Sequence, residues 1–81
     1  MTPDEFNALE TGEQIKIAMR KDMLVGERSA GPKSMHLYMV DDFYVEVIFT
    51  TRRKDVLEVH ASNDDAIIEP YLKQIDLTEL L

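Results

Sequence analysis

Two histidines and one glutamate, His36, Glu46 and His60, are the side chains best suited to chemistry in this sequence. They lie in three runs that read as β-strands: Met35 to Val40, Phe43 to Thr50 and Val56 to Ala61. Side chains alternate between the two faces of a strand, so the pairing register decides which of them meet. The register that best separates apolar from polar faces sets Met39 opposite Phe43, Leu37 opposite Val45 and Met35 opposite Val47. On the other side it sets Phe49 opposite Leu57, Val47 opposite Val59 and Val45 opposite Ala61. His36, Glu46 and His60 then form one row across three strands. Two imidazoles and a carboxylate are the ligand set of some catalytic zinc sites and of non-haem iron sites. Neighbouring strands lie about 4.8 Å apart, so the outer two backbones are about 10 Å apart and both rings must lean inward to share a metal. The alternative reading of the row is structural, with Glu46 accepting hydrogen bonds from one or both rings.

Charge offers a second kind of site. Arg52, Arg53 and Lys54 are consecutive in a turn, and Lys33 falls in another turn at the same end of the expected sheet. A guanidinium fork suits an anion or a phosphopeptide; the alternative is an ordinary solvated turn. Asp41, Asp42, Asp64 and Asp65 fall at the opposite end, with Asp22 near them. They lack the spaced oxygen ligands of a calcium-binding loop. Nucleophilic catalysis has no support: there is no cysteine, no Gly-x-Ser-x-Gly elbow and no glycine-rich phosphate loop. The chain therefore reads as non-enzymatic, with no cofactor expected.

The elements that must position these residues follow from composition and pattern. A chain of 81 residues is read as one domain, residues 1–81, just above the size at which a core alone can hold a fold. An apolar content of 44% is ordinary for a globular chain. The formal charge of −7 repels phosphate backbones and anionic lipid, so neither nucleic acid nor membrane is the expected partner. No apolar run approaches the roughly 20 residues of a membrane span, and the acidic N-terminus does not resemble a signal peptide. With no cysteine, the expected location is the cytoplasm.

Thr2-Pro3-Asp4-Glu5 carries a capping box and predicts a short helix to about Leu9. Thr11 and Gln14 repeat the pattern and predict a second helix, from about Gly12 to Lys21. Met23 to Ala30 is the weakest strand candidate because Gly26 interrupts it. Turns at Gly31-Pro32-Lys33, Asp41-Asp42 and Thr51 to Asp55 separate the strands. Pro70 opens a last short helix, to about Ile75. The result is an α+β fold: two N-terminal helices, an antiparallel meander of three or four strands, and a short C-terminal helix, with the helices on one sheet face.

In this register the other face is mixed: His36, Tyr38, Val40, Tyr44, Glu46, Ile48, Val56, Glu58 and His60. A half-apolar face suits a partner, and Tyr38, Tyr44, Ile48 and Val56 are its candidate anchors. The run Leu37-Tyr38, followed by Phe43-Tyr44-Val45-Glu46-Val47 and by Pro70-Tyr71-Leu72, resembles a group of short uncharacterised bacterial proteins. The resemblance implies no activity and no site residues. The expected function is a non-enzymatic interaction domain that self-associates, as a homodimer or another homo-oligomer, or binds another protein through the mixed face. The alternative is a small metal- or ligand-binding protein built on the His/Glu/His row.

Overall fold

The computed structural model describes residues 1–72. The Thr2 hydroxyl accepts from the Glu5 amide at 3.1 Å and the Glu5 carboxylate accepts from the Thr2 amide at 2.8 Å. This reciprocal cap starts α1, Pro3–Asn7. The Thr2 backbone amide, and then the Thr2 hydroxyl, also hold the Glu5 carboxyl below its ordinary range. Helix α2 is Thr11–Ala18, with Thr11 inside the helix rather than capping it. Gln14 explains the difference. Its side chain is buried and donates to the Phe6 carbonyl at 3.0 Å, so it satisfies the end of α1 instead of closing a box with Thr11. A 3-10 turn, Lys21–Met23, leads into the sheet.

The sheet is a four-stranded antiparallel meander in the order β1 (Leu24–Ala30), β2 (Lys33–Val40), β3 (Phe43–Thr50) and β4 (Val56–Ser62). The weakest candidate does join it: β1 pairs with β2, with a bulge at Val25 that lets the strand continue past Gly26. The α+β architecture and the meander are as the sequence implies. No helix among the described residues is long and apolar enough to cross a membrane.

The pairing of β2 with β3 corrects the expected register. Val40, not Met39, stands opposite Phe43; Tyr38 stands opposite Val45 and His36 opposite Val47. The cause is the turn. Asp41 and Asp42 alone connect the strands, Asp41 in the left-handed region at φ 51°. Asp tolerates that conformation, and two-residue connections are the commonest in hairpins. The pairing of β3 with β4 is as expected from Val45–Ala61 to Val47–Val59. It then shifts, so that Phe49 meets Val56 and Leu57 is left half exposed.

One sheet face carries Tyr38, Val40, Phe43, Val45, Val47, Phe49 and Ala61, closed by Phe6 of α1 and Ala18 of α2. Phe6, Phe43, Val45 and Val47 are fully buried, each contributing roughly 1.5–3 kcal/mol before entropy. The one-residue shift moves Met35 and Leu37 to the opposite face. There they pack with Tyr71, flanked by Tyr44, Ile48, Ile67 and Ile68. The N-terminal helices thus share one face and the C-terminal segment covers part of the other. That segment begins with a 3-10 turn, Asp65–Ile67, capped by the Asp64 carboxylate on the Ala66 amide at 3.0 Å. A helix follows from 69; the expected end of that helix, near Ile75, lies outside the described residues.

Candidate functional site

The expected His36–Glu46–His60 row is broken by the β2 register. Glu46 faces His60 across β3 and β4, but on its other side it faces Leu37, and His36 points to the opposite face of the sheet. Among the described residues no group of three or more His, Cys, Asp or Glu is placed to hold a metal ion.

Glu46 has other partners. Its side chain is 15% exposed and its Oε2 accepts a hydrogen bond from the Tyr71 hydroxyl at 2.7 Å. The Arg28 guanidinium stands 3.7 Å from the same oxygen and lies over the Tyr71 ring at 5.2 Å. Burial, and then the hydrogen bond to Glu46, push the Tyr71 phenol well above its ordinary range. A Cβ on Gly26 would stand 3.1 Å from the Tyr71 ring, so the bare glycine backbone makes room for it. The Arg28 Nε is buried without a hydrogen-bond partner among the described residues. Only Glu46 of this group was a candidate from sequence. Tyr71 and Arg28 come from distant segments, and no spacing pattern joins them.

His36 is held at both nitrogens. Nε2 lies 3.0 Å from Glu27 Oε1, and Nδ1 lies 3.2 Å from the Tyr38 hydroxyl. Its ring meets Phe49 edge to face, centroids 4.8 Å apart. Burial, and then the nearby Glu27 charge, raise the Tyr38 phenol, which keeps it a neutral hydrogen-bonding group. Two adjoining depressions open beside His36, where the helices leave the sheet uncovered. One, of about 350 Å³, is lined by Glu27, Ser29, Ser34 and Lys54 among others. The second, of about 220 Å³, is lined by Met19, Phe49 and Val56, and both share His36, Phe49 and Lys54.

The four expected anchors do not share a face. Tyr38 is buried under the helices, and Val56 packs at the edge of that same core. Tyr44 and Ile48 lie on the other side, packed around Met35, Leu37 and Tyr71.

The basic turns form one end of the molecule. The Thr51 amide donates to the Pro32 carbonyl at 2.9 Å, and the hydroxyls of Ser34 and Thr51 are 2.8 Å apart. These bonds lock the β1–β2 turn to the β3–β4 turn. Arg52 and Arg53 line a cleft of about 340 Å³ with Pro32, Thr50 and Asp55. Lys54 departs from its neighbours. Its backbone is left-handed, at φ 64°, and its ammonium lies 5.5 Å from the centre of the Phe49 ring. Among the described residues, none of Lys33, Arg52, Arg53 or Lys54 has a carboxylate within 4.0 Å.

At the far end Asp41 takes the N-terminal ammonium at 3.6 Å and Asp22 pairs with Arg20 at 3.7 Å. Asp42 and Asp65 are exposed, with no such partner among the described residues. Comparison with protein-family models, with curated proteins and with solved structures finds no match.

Proposed function

We propose that this chain is a small non-enzymatic interaction domain that self-associates through its oppositely charged ends. The observation that carries the reading is the locked pair of basic turns. Thr51 and Pro32 fix two turns together, and among the described residues Lys33, Arg52 and Arg53 there have no carboxylate within 4.0 Å, in a chain whose formal charge is −7. Asp42 and Asp65 at the other end supply the complementary charge. A second copy, docked head to tail, brings the two together. The mixed sheet face is a poorer surface for this contact, because the chain's own C-terminal segment packs around Tyr44 and Ile48. The cytoplasmic location expected from the cysteine-free sequence belongs to the same proposal.

Exposed charge pairs contribute about 0–1 kcal/mol each, and screening confines them to about 8 Å at physiological salt. The contact is therefore weak and reversible, and because it is heterologous it does not close on itself at two copies. Mixing charge-reversed variants tests it by sedimentation velocity. The Arg52→Glu/Arg53→Glu chain carries added acid at its basic end, and the Asp42→Lys/Asp65→Lys chain carries added base at its acidic end. Each alone should be a monomer, and an equimolar mixture, in which native ends and reversed ends are both complementary, should associate again. A wild-type chain that stays monomeric at high concentration would sink the reading. Variants that still associate alone would place the contact elsewhere.

A further inference from the structure

We infer that the groove beside His36 is a binding site for a small amphiphilic acid, an anionic head on a flat apolar body. The two depressions differ in chemistry and meet along His36, Phe49 and Lys54. One side offers the hydroxyls of Ser29 and Ser34; the other offers Met19, Phe49 and Val56. Their volumes, about 350 and 220 Å³, suit a ligand of about one ring and its substituent.

Lys54 supplies the charge at the junction. The Lys54 amide donates to the Thr50 carbonyl at 2.9 Å, which fixes the left-handed turn. That turn sets the ammonium over Phe49, apart from the cleft lined by Arg52 and Arg53. Among the described residues Glu27 is the one carboxylate lining the groove, and its Oε1 lies 3.0 Å from His36 Nε2. Among the described residues Lys54 is thus a cation with no carboxylate within 4.0 Å, between a hydroxylated wall and an apolar floor. A carboxylate or a phosphate would meet Lys54 and the serine hydroxyls, while the apolar body lies against Met19, Val56 and the small exposed edge of Phe49. A bare anion forfeits the floor, and a neutral aromatic forfeits Lys54.

The experiment is an amide chemical-shift titration of the full chain at constant ionic strength. Its probes are benzoate, phenyl phosphate, inorganic phosphate and benzyl alcohol. At least one of the two aromatic acids should give saturable shifts at Ser34, His36, Phe49 and Lys54, with Kd of about 1 mM or tighter. Which acid binds more tightly identifies the head group. Inorganic phosphate and benzyl alcohol should each bind at least about tenfold more weakly. Lys54→Asn, which tolerates the left-handed backbone, should weaken the acid by about tenfold, and Glu27→Gln should tighten it. The inference is overturned if neither acid saturates these residues, if benzyl alcohol binds as well as the acids, or if Lys54→Asn leaves affinity unchanged. Arg52→Glu/Arg53→Glu, used above for self-association, should leave the site in place, which separates failure of the two readings.

Discussion

The Tyr71 hydroxyl reaches Glu46 Oε2 at 2.7 Å across 25 residues of sequence, and so fastens the C-terminal segment to a central strand. The bond joins a phenol kept neutral to a carboxylate whose side chain is 15% exposed. Removing the hydroxyl alone, by Tyr71→Phe, should cost about 1.5–3 kcal/mol in urea denaturation, the usual worth of a hydrogen bond to a charged group. The same variant should change the response to alkali. A phenol whose folded pKa is raised contributes stability that is whole below the ordinary phenol value of about 10 and lost as pH climbs toward the folded value. Wild type should therefore lose stability above about pH 10 more steeply than Tyr71→Phe.

Gly26 and Tyr71 should couple with a definite sign. Replacing a strand glycine by alanine ordinarily gains about 0.5–1 kcal/mol through the unfolded chain. Here the new Cβ meets the Tyr71 ring at 3.1 Å, so the ring must yield. Gly26→Ala should thus be neutral or destabilising in wild type and stabilising in a Tyr71→Ala background. A double-mutant cycle should return an unfavourable coupling of about 1 kcal/mol.

Asn7 mimics a fifth strand at a single residue. Its Oδ1 accepts from the Ala61 amide at 2.9 Å and its Nδ2 donates to the Ala61 carbonyl at 3.1 Å. Asn7→Ala should cost about 1–2 kcal/mol and raise hydrogen exchange at the Ala61 amide while leaving the β3 amides protected.

Strand β3 was legible to the residue, because Phe43 to Thr50 alternates with β-branched and aromatic side chains at nearly every place. The Thr2–Glu5 cap was legible for a local reason, since both partners lie within one turn. Strand β2 was not. Met35, Leu37 and Met39 are apolar on one alternation, and Tyr38 and Val40 on the other, so face segregation could not choose between them. The deciding signal was Asp41-Asp42, a two-residue connection that fixes the hairpin by itself. The metal row fell with that register, and the anchors Tyr38 and Tyr44 parted with it. The C-terminal cover of the second face was hidden for a different reason: Tyr71, Arg28 and Glu46 meet only after the sheet exists. Lys54 was legible as a basic residue, but its turn away from Arg52 and Arg53 rests on one backbone angle.

The meander also sets an order in time. Every strand pairs with its neighbour in sequence, so each hairpin closes a short loop at small entropic cost, a topology that folds quickly. The C-terminal segment cannot join that early phase. Its docking site is assembled from β1, β2 and β3 together: Gly26, Leu37 and Glu46 must already be side by side. Until that segment docks, Met35 and Leu37 have no cover from it on their side of the sheet. A slower docking of that side should lengthen the time for which a young chain is exposed to aggregation.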